Sequence, residues 1–123
     1  MRLFILVPAI LILALPGCTT TPSEVPVDPS YASDIQPVFN AHCISCHGSS
    51  SPPAGYSLTS FAGATGSGSD SVPNVVPNSA DSSKLYRRIT GTETPQMPSG
   101  QPALDTAKIA TVRNWINKGA KDN

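Results

Sequence analysis

A shortage of large aliphatic side chains constrains this chain more than anything else in it. Leu, Ile, Val and Phe together supply only 15 of the 93 residues from 31 to 123. Below about 20 % a chain struggles to build a core from its own side chains. The disorder that often follows also needs a high net charge, and here eight Lys and Arg balance eight Asp and Glu. A length of 123 residues allows one domain. A domain this small, with so little apolar mass, needs a staple or an apolar cofactor to fold around. Composition does not say which.

The cysteines narrow the choice. There are three, Cys18, Cys43 and Cys46, and an odd number in an exported chain needs an explanation. Export is read from the start of the chain, where Arg2 is followed by an apolar run through Leu15. That is the pattern of a secretory signal. Pro8 interrupts it, and it falls short of the roughly 20 apolar residues that span a bilayer. The run ends Leu15-Pro16-Gly17-Cys18, which resembles a bacterial lipobox, cut so that Cys18 becomes the lipidated first residue. Residues 1–17 are thus expected to be a lipoprotein signal peptide, and residues 18–30 a lipidated tether stiffened by Pro22, Pro26 and Pro29. At about 3.1 Å per residue the stretch 19–30 would reach roughly 35–40 Å from a membrane. With Cys18 acylated, Cys43 and Cys46 form a single motif and no disulfide framework is expected.

That motif is Cys43-Ile44-Ser45-Cys46-His47, the attachment signature of haem c. Its spacing has a physical reason. Two thiols must add to two vinyl groups on one edge of a porphyrin, and the residue after the second projects beneath the ring, where an imidazole can bind the iron. A zinc site needs a second ligand pair elsewhere, and four ligands within His42, Cys43, Cys46 and His47 cannot easily surround a tetrahedral ion. A thioredoxin-like dithiol expects a βαβ setting, for which no strand pattern is present. One covalent haem c is therefore expected, with Cys43 and Cys46 as its thioether positions and His47 as the proximal iron ligand.

The second axial ligand follows by elimination. Met1 leaves with the signal, so Met97 is the one methionine of the mature chain. His42 adjoins an attachment cysteine and cannot easily reach the far face of the ring. Met97 lies between Pro95 and Pro98, which exclude helix and stiffen a loop. A five-coordinate iron with Met97 merely nearby is the competing reading. Tyr56, Leu58, Phe61, Leu85, Tyr86 and Ile89 are candidates to line the haem, and Trp115 is expected in the core between the first and last helices.

Three helices are legible. The first is expected from about Asp34 to Cys43, opened by a Ser33/Gln36 capping box with Pro37 in its first turn. The second is expected from about Ser82 to Ile89, capped by Asp81 and stopped by Gly91. The third is expected over about Thr106 to Lys118, capped by Asp105, stapled by Leu104 and Ile109, and ended by Gly119. Between the first two, Ala64-Thr65-Gly66-Ser67-Gly68-Ser69 shows no periodicity and reads as loop.

Taken in order, Ile35-x-Pro37-x-Phe39, Cys43-x-x-Cys46-His47-Gly48, Gly55-Tyr56-Ser57-Leu58, Val76-Pro77-Asn78, Gln96-Met97-Pro98 and Trp115-Ile116-x-x-Gly119-Ala120 resemble class I mono-haem cytochromes c. More narrowly, they resemble the small cytochrome c domains common in planctomycetes and related bacteria. The resemblance implies an all-α class I cytochrome c-like fold over 31–123, about three main helices with long loops around one haem, and His47 and Met97 as axial ligands. Asn78 stands where that family often has Gly, and Ser99 where a second proline is common. The expected function is one-electron transfer in the cell envelope, not enzymatic catalysis. A haem-based sensor or ligand-binding module, or a haem subunit of a larger oxidoreductase, is the alternative. Redox proteins are the expected partners, and a monomer is favoured. With no basic run longer than Arg87-Arg88, nucleic acid is not expected as a partner. The expected location is the periplasmic side of a bacterial membrane through lipid on Cys18. Thr19 lacks the acidic character linked to inner-membrane retention, which points to the outer membrane.

Overall fold

The computed structural model describes Gly17 and residues 24–123. The expected signal core, the acylation site Cys18 and the first part of the tether lie outside the described residues. Among the described residues no helix is long and apolar enough to cross a membrane.

The fold is all-α, with no strand among the described residues. A π-helical turn, Tyr31–Ile35, runs directly into α1, Gln36–His42; then come a 3₁₀ turn, Pro53–Gly55, and the short α2, Phe61–Thr65. α3 is Lys84–Thr90 and α4 is Thr106–Asn117.

The first helix begins earlier than the Ser33/Gln36 box implied. Its N-cap is Ser30, whose side chain accepts from the Ser33 N–H. The Gln36 side chain turns elsewhere: Oε1 accepts from the Tyr31 hydroxyl at 2.6 Å, and Nε2 donates to Asn40 and to the Leu58 carbonyl. Pro37 explains the π-turn. In a regular α-helix starting at Tyr31 its ring would press on the carbonyl four residues back and offer no N–H. The wider winding absorbs that fault, with the Gln36 N–H bonded five residues back to the Tyr31 carbonyl.

α4 follows its expected course. Asp105 accepts from the Lys108 N–H at 2.8 Å, and Gly119 takes φ 102° just beyond the end. α3 starts later than expected, because Ser83, not Asp81, is its N-cap. Ser83 is fully buried, and its hydroxyl is a small hub. It accepts from the Val76 N–H at 2.8 Å and sits within donating distance of the Ser79 and Val76 carbonyls, at 2.8 and 3.3 Å. That geometry folds the segment 75–83 back onto α3. Ser83→Ala would leave the Val76 N–H without its partner, and unfolding titrations should show a loss of about 1–3 kcal/mol. An unchanged midpoint would show that water replaces the hydroxyl. Nearby, Asn78 adopts φ 66°. This is the left-handed region that Gly favours and Asn tolerates.

The core lies where the π-turn, α3 and α4 meet. Ile35, Phe39, Val112, Trp115 and Ile116 are among the most deeply buried side chains. The Trp115 ring stands 5.5 Å from Tyr31 and 6.4 Å from Phe61, and its indole N–H donates to the Lys121 carbonyl. Residues just ahead of the π-turn are fastened to the same end of the molecule. The Pro26 carbonyl accepts from Asn114, Pro29 is buried, and Ser30, Tyr31 and Ala32 all bond to Asn123.

Candidate haem site

The segment that carries the attachment motif is a continuation of α1 that tightens into turns. The Cys43 and Ile44 N–H groups both donate to the Phe39 carbonyl, and the Cys46 and His47 N–H groups both donate to the Cys43 carbonyl. Cys43 and Cys46 therefore sit on one tight curl, with His47 immediately after it. Both cysteines are free; Cys43 is half-buried and Cys46 exposed. Burial pushes the Cys43 thiol up to about 11, so the protonated S–H is the form present at neutral pH.

His47 is oriented by a chain of contacts that begins on α2. The Tyr56 hydroxyl donates to the Ala64 carbonyl at 2.7 Å, a buried bond, and burial pushes that phenol far above its ordinary value. The Tyr56 carbonyl in turn lies 2.8 Å from His47 Nδ1. A carbonyl can only accept, so Nδ1 carries a proton, and in the neutral ring that leaves the lone pair on Nε2. This is the arrangement by which proteins fix an imidazole for a metal. The loop beyond α2 supports it from behind. Gly68 approaches so closely that a Cβ would stand 2.5 Å from the Ala54 carbonyl oxygen, and Ser69 donates to that same oxygen.

Cys43, Cys46, His47 and Met97 all line one cavity of about 1020 Å³, at the upper end of the range usual for cofactor sites. Leu58, Leu85, Ile89 and Leu104 give it apolar walls, with Lys84, Arg88, Asp70 and Asp105 among its charged members. Lys84 donates to Asp70, which holds the Asp70 carboxyl below the usual carboxylate range, and Lys108 does the same for Asp105. Of the other expected lining residues, Tyr56 is present. Phe61 and Tyr86 are not: Phe61 turns toward Tyr31 and Trp115, and Tyr86 packs on the core. Trp115 is in the core as expected and stays out of the cavity, whereas exposed His42 borders it.

Met97 is half-buried, in the loop that runs from Gly91 to Asp105, between α3 and α4. Its N–H donates to the Arg88 carbonyl at 2.9 Å, and that of Glu93 donates to the Arg87 carbonyl. These are end carbonyls of α3, which the helix cannot satisfy by itself. Glu93 then closes a fork. Oε2 accepts from Arg87 Nε at 2.9 Å, Oε1 lies 3.0 Å from Arg88 Nη2, and Arg88 Nη1 donates to the Pro95 carbonyl. The hydrogen bond from Arg87, aided by the Arg88 charge, holds the Glu93 carboxyl below the ordinary range. Nothing in the sequence around Arg87-Arg88 signals this role. Sequence reasoning missed α2, for which Ser60 was an available signal as an N-cap accepting from the Gly63 N–H.

The site fits haem on its own geometry. An apolar cavity receives two thiols from one curl, an imidazole held in the metal-binding tautomer and a soft thioether from a separate loop. Among the described residues no three His, Cys, Asp or Glu side chains gather as a metal-binding cluster.

Comparison with known proteins agrees. No curated protein and no solved structure matches the chain. Residues 43–100 match the family described as planctomycete cytochrome C, a family that binds haem c covalently. The matched region runs from the first attachment cysteine through the Met97 loop and leaves α1 and α4 outside it. From Cys43 to Gly100 the chain is similar to the planctomycete cytochrome C family.

Proposed function

We propose that this chain is a mono-haem c-type cytochrome that carries single electrons in the cell envelope. The observation that carries the reading is the convergence of Cys43, Cys46, His47 and Met97 on one apolar cavity, with His47 Nδ1 tied to the Tyr56 carbonyl. Bound haem supplies reversible one-electron exchange at its iron. Cys43 and Cys46 would hold it by thioethers, and His47 Nε2 and the Met97 sulfur would be the ligands to its iron. A His/Met pair raises the reduction potential, and apolar walls act in the same direction by disfavouring the extra charge of the oxidised form. The chain needs no substrate pocket for this role and acts as an electron-transfer protein.

Residues 1–17 act as a lipoprotein signal and Cys18 carries lipid, on the periplasmic side of a bacterial membrane, with the outer membrane preferred. Pro26 and Pro29 are held against the domain, so that end of the expected tether does not act as free spacer. Redox partners meet the monomer through brief, small contacts at the haem edge. With the signal removed, seven Lys and Arg face eight Asp and Glu, a net charge near zero that leaves little electrostatic steering, so association should respond weakly to salt.

A visible spectrum of the exported protein, with its mass, tests attachment and acylation together. The ferric protein should show a methionine-to-iron charge-transfer band that Met97→Ala abolishes. The same substitution should lower the potential by roughly 0.1 V or more, within the ~0.8 V span that axial ligands command. The ferrous unaltered protein should not bind carbon monoxide. Ready binding would replace the carrier with a sensor whose sixth position is open.

A further inference from the structure

The Met97 loop contains no regular secondary structure, so its position depends on what fastens it. The fastening is concentrated at one place, the C-terminal turn of α3. Two main-chain bonds from Glu93 and Met97 reach the carbonyls of Arg87 and Arg88. The Glu93 carboxylate bridges both guanidinium groups, and Arg88 reaches on to Pro95, two residues before Met97. Gly91, at φ 78°, turns the chain, and the Gln96 side chain lies where a Cβ on that glycine would be crowded, within 3.1–3.3 Å. Arg88 lines the haem cavity, whereas Arg87 and Glu93 do not. The Arg87 side chain therefore reaches the cavity indirectly, through Glu93 and the loop, and its Nη1 also donates to the Asp81 carbonyl.

We propose that Glu93, held by Arg87 and Arg88, is a positioning residue that keeps the Met97 sulfur at the iron and so sets how readily outside ligands displace it. This rests on Met97 being the distal ligand. The arrangement is suited to the task because guanidinium groups bind a carboxylate in a fixed fork. Three side chains and two main-chain bonds must let go together before Met97 can swing away. A ligand that binds only when Met97 has left has its apparent affinity reduced in proportion to the rarity of that open state. Loosening the clamp makes the open state more common and the ligand bind more tightly.

The test is imidazole titration of the ferric holoprotein, unaltered and with Arg87→Ala, Glu93→Ala or both. The clamp requires imidazole affinity to rise by roughly 3- to 10-fold in each single variant, since a partly shielded, charge-assisted network is at stake. The double variant should gain little more, because the two groups act as one unit. Glu93→Gln keeps the shape and one acceptor, and should fall between. Hydrogen exchange at the Met97 N–H should quicken in the same order, a readout independent of iron ligation. A charge-transfer band that survives Met97→Ala overturns the ligand assignment and the clamp with it. A Met97-dependent band together with unchanged imidazole affinity in folded Arg87→Ala and Glu93→Gln overturns the clamp alone.

Discussion

Replacing Cys43 and Cys46 together by alanine should yield a chain with no covalent haem and little stable tertiary structure. The first half of that result follows from the thiols: both lie on the curl after α1, and no other cysteine occurs between residues 24 and 123. The second half follows from the cavity. Without haem, the walls of the cavity of about 1020 Å³, Leu58, Leu85, Ile89 and Leu104, would face water. A domain of this size has only about 5–15 kcal/mol of stability. Losing that burial is a large loss on this scale, and the 15 Leu, Ile, Val and Phe residues of 31–123 have little reserve with which to refill the space. Denaturing mass spectrometry should show the loss of haem mass. Circular dichroism and dye binding should show a helical but loosely packed apoprotein. Cys43→Ala alone should retain haem through Cys46. Haem mass persisting in the double variant would remove the motif from its assigned role. A tightly packed apoprotein with sharp near-ultraviolet dichroism would show that the core is sufficient without its cofactor.

The features legible in the sequence were those set by neighbours along the chain. Asp105 caps α4, and Gly91 and Gly119 end their helices as expected, because a cap or a left-handed stop needs only the local backbone. Cys43, Cys46 and His47 reach one cavity because they share one curl. Met97 was found by elimination and does line that cavity, but what fastens its loop was not visible. Glu93 lies six residues from Arg87, and their pairing depends on the chain reversing at Gly91. The first helix was misjudged at its start for a similar reason. Ser30, Tyr31 and Ala32 are fixed by Asn123, some ninety residues away. Ser83 replaced Asp81 as a cap because it is buried against Val76 and Ser79, and burial is not written in local spacing. The tie from His47 to Tyr56, and from Tyr56 to Ala64, depends on a five-residue helix too short to show a period.

Trp115→Ala should be the most destabilising single substitution that leaves Cys43, Cys46, His47 and Met97 untouched. The side chain is 1 % exposed and joins the π-turn to α2 and α4 through Tyr31 and Phe61. Its N–H satisfies the Lys121 carbonyl just beyond α4. Truncating a buried aromatic of this size costs about 3–5 kcal/mol, a large share of what a domain this small possesses. Trp115→Phe keeps most of the packing but leaves the Lys121 carbonyl without its donor, so about 1–3 kcal/mol should be lost. Because Trp115 does not line the cavity, both variants should show the unaltered charge-transfer band under native conditions and differ only in denaturant midpoint. A shifted band in Trp115→Phe would show that the indole acts on the iron through the core. That would make the last helix, which lies outside the family match, part of the site itself. An unshifted band with a lowered midpoint separates the two jobs of the fold: α4 and the π-turn hold the chain together, while the curl after α1 and the loop after α3 present the ligands.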